Sequence, residues 1–149
     1  MSNERLRFLN GSWDLLEATF TAPDGSIQMP WGPSPIGIAL IAESGDFSAH
    51  LMRAERGRFG ADHPTPAEKQ KAYDDYFSYF GRILRFEDAG ATMITRVQGA
   101  SDPNWIGSEQ VRYLDIEDQD HIVLRTPPLS LGGTKLVGRL RWHRRRDAA

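Results

Sequence analysis

The chain contains no cysteine. That excludes a disulfide framework, thiol catalysis and thiolate metal sites. It also lacks a long apolar run, for no stretch approaches the roughly 18 residues that a membrane helix needs. Neither sign of charge dominates: Lys and Arg total 18, Asp and Glu total 20, and the net charge is -2. Bulk attraction to nucleic acid or to an anionic membrane is therefore not expected. There is no phosphate loop, no Gly-x-Gly-x-x-Gly and no nucleophile elbow. The 4 histidines, His50, His63, His121 and His143, are scattered without metal-ligand spacing, so neither a metal nor a cofactor is expected. The opening Met1-Ser2-Asn3-Glu4-Arg5 lacks the apolar core of a signal peptide, which makes the cytoplasm the expected compartment.

What remains is ordinary for a globular domain. Apolar residues make up 40% and charged residues 26% of 149 positions, which fits one domain spanning 1–149. Such a chain buries roughly 68–70% of its unfolded surface without a disulfide or metal staple. Most of it reads as short strands separated by turn chemistry. Strand patterns cover residues 13–21, 36–42, 47–53, 82–87, 91–99, 109–116, 121–126 and 134–144. Turn signals lie between them: Ala22-Pro23-Asp24-Gly25, Glu43-Ser44-Gly45-Asp46, Asp88-Ala89-Gly90, Glu117-Asp118-Gln119-Asp120 and Leu131-Gly132-Gly133. About eight strands joined by short connections favour antiparallel neighbours and an up-and-down barrel or a sandwich. The end, Arg144-Arg145-Arg146-Asp147-Ala148-Ala149, reads as a solvated basic tail.

One segment departs from this pattern. Thr65-Pro66-Ala67-Glu68 is a capping box with proline at the first helical position. Beyond it Ala72, Tyr73, Tyr76, Phe77, Tyr79 and Phe80 recur at spacings of three and four, and Gly81 supplies a stop. The pattern predicts one inserted helix over about 66–80, with an aromatic face that must be covered, across the barrel wall or one mouth. If the helix closes the mouth, motion of the charged connection from Ala54 to Pro64 gates entry; if it packs on the wall, it only reinforces the barrel. The proline-rich loop Met29–Pro35, which carries Trp31, is expected to sit fixed at a rim.

Period-two alternation sorts the remaining side chains. Leu136, Leu140 and Trp142 share a face, as do Ile122 and Leu124. Gln110, Arg112, Leu114 and Ile116 lie on one face of their strand. If Leu114 and Ile116 point inward, so does Arg112, and a buried guanidinium requires an acceptor. Three readings stand: Arg112 bonds an interior carboxylate such as Glu17, it anchors a polar ligand group, or the opposite face points inward. Trp13 is placed to plug one barrel end, with Arg139 or Arg141 stacked on its ring.

Gly11-Ser12-Trp13 together with an arginine on the last strand resembles the structural signature of lipocalins. Further motifs sharpen it: Ser48-Ala49-His50-Leu51-Met52-Arg53, Tyr79-Phe80-Gly81, Pro103-Asn104-Trp105-Ile106-Gly107, Gln110-Val111-Arg112, Thr126-Pro127-Pro128 and Leu140-Arg141-Trp142. From about Leu9 to Arg144 the chain is similar to the bacterial and fungal lipocalin-like domain family, small barrels of mostly unassigned function. The resemblance implies an all-β, closed antiparallel up-and-down barrel of eight or more strands with an interior cavity. It implies no single activity, because function belongs to the site.

Candidate site residues follow from position. His50 sits mid-strand on a face with Ser48 and Met52. If the Phe47, Ala49 and Leu51 face packs outward, these three line the cavity, and His50 is a candidate acid or base. Asn104 and Trp105 sit at a rim corner, Gln98 on the preceding strand extends toward Arg112 and Gln110, and Tyr79 joins the ligand-binding set. The expected ligand is small and largely apolar, with a carbonyl, phenol or carboxylate group. The alternative is a cofactor-independent isomerase, cyclase or lyase. There Arg112 and Gln110 stabilise an enolate-like oxyanion while His50 or a tyrosine moves a proton. A homodimer is left open, and neither nucleic acid nor membrane is expected as a partner.

Overall fold

Residues 2–131 and 133–146 are described by the computed structural model. Met1, Gly132 of the turn at 131–133, and Asp147–Ala149 of the basic tail lie outside the described residues. The elements in chain order are α1 (Ser2–Leu9), β1 (Gly11–Thr21), β2 (Ile27–Gln28), β3 (Ile36–Ile41), β4 (Asp46–Met52), α2 (Pro66–Asp74), β5 (Tyr76–Glu87), β6 (Thr92–Ala100), β7 (Glu109–Asp118), β8 (His121–Arg125), β9 (Leu129–Leu131) and β10 (Thr134–Arg144). One-turn 3₁₀ helices occupy Asp88–Gly90 and Pro103–Trp105. Every strand pairing is antiparallel. The order β1-β3-β4-β5-β6-β7-β8-β10 closes on itself through β1 and β10, giving an eight-stranded barrel. The short β2 and β9 are appended at its margin, on β1 and β10. Closure removes the free edges that an open sheet of this size would expose.

The two ends of the barrel differ. At one end α1 packs across the opening: Leu9 and Trp13 are fully buried, and the Trp13 indole N–H donates to the Leu9 carbonyl at 2.9 Å. The arginine that stacks on Trp13 is Arg144, 4.3 Å from the ring centre, rather than Arg139 or Arg141. Those two lie on the outer wall, paired with Glu17 and Glu117. Arg144 also donates to the carbonyls of Phe8 at 2.9 Å and Gln119 at 3.0 Å, so one guanidinium ties α1, the β7–β8 turn and β10 together. The other end carries the connections at 22–35, 53–75, 101–108 and 126–133.

The inserted helix is shorter than its pattern suggested. Its capping box forms as expected: Thr65 Oγ1 accepts from the Glu68 N–H at 3.1 Å, and the Glu68 carboxylate accepts from the Thr65 N–H at 2.8 Å. But α2 ends at Asp74, and residues 76–80 are the start of β5. Aromatics at positions 76, 77, 79 and 80 satisfy either a helical stripe or a strand with two covered faces. The seven-residue ladder to β4, Asp46–Met52 against Arg82–Tyr76, decides for the strand. No α2 residue is buried, so the helix has no aromatic face to cover and does not close the mouth.

A bulge in β1 corrects a second expectation. The buried residues run Trp13, Leu15, Ala18, Phe20, because the register slips between Leu15 and Glu17. Strict alternation from Trp13 would turn Glu17 inward. The slip turns it out, where it pairs with Arg139 at 2.7 Å. Glu17 is therefore no partner for Arg112.

Candidate functional site

The interior at the open end holds a cavity of about 90 Å³. Its wall is built from inward strand positions: Phe20 of β1, Ala49 and Leu51 of β4, Phe77 and Tyr79 of β5, Arg112 of β7, Leu124 of β8, and Leu140 and Trp142 of β10. Trp31, Trp105, Thr126, Leu129 and Leu131 reach it from the rim. Aromatic rings meet edge to face across the mouth. Phe77 lies 4.9 Å and Tyr79 5.3 Å from Trp105, and Phe20 lies 5.9 Å from Trp31, in the favoured range for such pairs.

The charge in this apolar wall is Arg112. It is 7% exposed. Its Nη1 donates to the Val111 carbonyl at 2.8 Å, and its guanidinium carbon sits 5.8 Å from the centre of the Trp105 ring. Among the described residues no carboxylate lies within ion-pair distance of it, and none lines the cavity. A guanidinium carries five N–H donors, so most of its capacity is unspent on side chains. The indole N–H of Trp142, also lining the cavity, is buried without a partner. The Thr126 hydroxyl already accepts from the Gly138 N–H at 2.8 Å. The site thus offers donors and has little to accept with.

Trp105 is held from behind. Pro103–Trp105 forms a 3₁₀ turn capped by Asp102, whose Oδ1 accepts from the Asn104 N–H at 2.9 Å. Gln110 Nε2 donates to Ser108 Oγ at 2.9 Å, and that hydroxyl donates to the Trp105 carbonyl. Gln110 therefore braces the rim corner under Arg112 and does not line the cavity. Asn104 is exposed and serves the turn. At the same rim, Asp75 is buried at the end of α2, with Lys71 at 2.7 Å and Arg53 at 3.2 Å. A β-carbon on Gly32 would stand 3.3 Å from the Arg53 guanidinium, so this ion pair sits directly beneath the loop that carries Trp31. The proline-rich loop occupies the rim, and its tryptophan is part of the cavity wall.

Besides Asn104 and Gln110, four more of the expected site residues stand off the cavity. Ala49 and Leu51 line the cavity, so Ser48, His50 and Met52 lie on the outer face of β4. The physical reason is that the Phe47 face packs inward: Phe47 meets Tyr79 at 5.5 Å between ring centres. His50 bonds Ser48 through Nε2 at 3.0 Å and the Tyr76 hydroxyl through Nδ1 at 2.6 Å, a chain that runs along the outside of the wall. His50 and Arg112 are thus separated by the sheet and cannot act on one molecule inside the barrel. Gln98 is exposed and also points out. Among the expected residues, the cavity brings together Tyr79, Trp105 and Arg112. Those missed include Trp142, Leu140 and Leu124, whose shared strand faces were already visible as apolar alternation. They also include Phe20, whose phase is set by the bulge, and Phe77, hidden in the helical reading.

Comparison with curated proteins finds none that matches the chain. A family model described as a lipocalin-like domain matches residues 10–145. With a closed antiparallel eight-strand barrel around an interior cavity, the chain belongs to the lipocalin-like domain family.

Proposed function

We propose that the barrel binds one small, largely apolar molecule whose carboxylate, carbonyl or phenolate oxygen docks on Arg112. The observation that carries this is a buried guanidinium with no carboxylate partner in an apolar, aromatic cavity. A charge in such a place is costly unless something satisfies it, and an oxygen acceptor on a ligand does so. The unpaired guanidinium and the lack of a carboxylate in the lining argue against amines and cations. Size adds a constraint. Small-molecule pockets usually span about 300–1,000 Å³, and this cavity has about 90 Å³. Entry of a metabolite-sized ligand requires the aromatic rim at Trp31 and Trp105 to swing aside.

Titration calorimetry tests the reading with matched ligands: an aryl-alkanoate, its neutral primary amide, and the hydrocarbon of the same shape. The carboxylate is expected to bind most tightly. Arg112→Met is expected to cost about 1–3 kcal/mol for the carboxylate, the worth of a charge-assisted bond, and little for the hydrocarbon. Equal affinity of the variant for all three, unchanged from the parent protein, would remove Arg112 from the site.

A further inference from the structure

We propose that the outer face of β3, β4 and β5 is the interface of a reversible homodimer, two copies packing sheet to sheet about a two-fold axis with their β4 strands antiparallel. This does not rest on the cavity reading, since the face lies on the other side of the wall.

Most of the barrel exterior is laced with charge. Arg96 pairs with Glu109, Arg125 with Asp115, Arg139 with Glu17 and Arg141 with Glu117, at 2.6–2.8 Å. The outer face of the three strands is different. Every outward position from 36 to 40 on β3, from 48 to 52 on β4 and from 76 to 80 on β5 is uncharged. Ile36, Leu40 and Phe80 remain 49%, 44% and 51% exposed there. A solvated antiparallel sheet normally alternates apolar inside with charged and polar outside, so an uncharged outer face that exposes Ile36, Leu40 and Phe80 marks a surface that meets something. The polar atoms in its centre are already matched: Ser48, His50 and Tyr76 bond one another. Covering the face therefore strands no donor or acceptor among these three.

The border charges select the partner. Beyond the mouth end of β4 stands Arg56, its guanidinium 5.5 Å over the Tyr76 ring, with no carboxylate in ion-pair range among the described residues. At the other end of β4 stand Asp46 and Glu43. Their arginine partners, Arg82 and Arg7, are at 3.7 and 3.9 Å, all four side chains more than half exposed. A two-fold axis through the face lays the Arg56 end of one copy over the Asp46 and Glu43 end of the other, twice. Each Arg56 then meets acids whose own arginines stand no closer than 3.7 Å and leave them open to a second partner. With charges of both signs at its borders, it does not suit an anionic membrane.

Size sets the strength. Three strands about 4.8 Å apart, each with five residues of about 3.3 Å in the face, give a footprint well short of the ~800 Å² per partner of a standard interface. The loop after β4 and the turn at 43–46 must add the rest. A dimer that forms in the micromolar range and dissociates on dilution is the expected result.

Sedimentation velocity from about 1 to about 500 µM tests this. The wild-type protein should move from monomer to dimer mass across that range. Ile38→Glu, which places a charge on the β3 row of the face beside His50, should stay monomeric with an unchanged circular dichroism spectrum. Arg56→Glu and Asp46→Arg should each weaken the dimer about tenfold, and together restore it, which a folding defect would not do. A monomer mass at every concentration overturns the proposal, as does a dimer that survives Ile38→Glu. Failure of the double reversal to recover affinity overturns the antiparallel arrangement it states.

Discussion

Arg112→Met should make the protein more stable and a poorer binder at once. Methionine keeps an unbranched apolar chain that reaches about as far as the arginine Nε, and removes the charge from a wall otherwise formed by Leu124, Leu140, Phe77 and Trp105. Replacing buried ionic groups by well-packed apolar ones commonly gains about 1–4 kcal/mol. Against this stand one hydrogen bond to the Val111 carbonyl and one cation–π contact on Trp105, together worth about 1–2 kcal/mol. Taking the middle of each range, the net gain is about 1 kcal/mol. For a chain of 149 residues that corresponds to a rise in Tm of about 2–4 °C. Differential scanning calorimetry of the unliganded proteins measures it, and calorimetric titration with an aryl-alkanoate measures the opposing loss of affinity. A gain in stability bought with a loss of binding is the signature of a residue kept for its ligand. A fall in Tm of several degrees would refute the reasoning, because it would show that Arg112 supports the barrel.

Further outcomes follow from other contacts. Arg144→Leu removes the cation over Trp13 and strips the carbonyls of Phe8 and Gln119 of a donor, so it should destabilise by about 2–4 kcal/mol in urea unfolding, with no preference for liganded or free protein. Asp75→Asn breaks both ion pairs beneath the Trp31 loop. Faster amide exchange over residues 29–35 and a faster ligand on-rate in stopped flow are expected, while an unchanged on-rate would detach this ion pair from entry. The Glu68 carboxyl is held below the usual glutamate range, first by the Thr65 N–H and then by the Gly60 N–H. A carboxyl lowered by folding stabilises above its unfolded value of about pH 4.3 and loses that contribution as pH falls through its folded value. The protection of amides at the start of α2, taken relative to the intrinsic exchange rate at each pH, should therefore fall below about pH 4 in the parent protein, and Glu68→Gln should flatten that dependence.

Strand class, strand number and the outline of the barrel were readable in the sequence because they rest on local chemistry. Turn residues and period-two alternation act within a few positions, and the capping box at Thr65–Glu68 forms from four residues alone. The inward aim of Arg112 was legible for the same reason, since Leu114 lies two residues along the same strand and is buried. Everything that depended on phase across a gap was decided by the tertiary structure. The bulge between Leu15 and Glu17 arises in the pairing with β10 and leaves no local mark, yet it turns Glu17 out and Phe20 in. The aromatics from Tyr76 to Phe80 fit two periods, and only the ladder to β4 selects one. The Ser48, His50 and Met52 face and the Phe47, Ala49 and Leu51 face are alternatives that a single strand cannot rank. Barrel closure ranks them, because bulky Phe47 and Leu51 can fill the interior with their neighbours, whereas a mutually bonded Ser48, His50 and Tyr76 can remain outside.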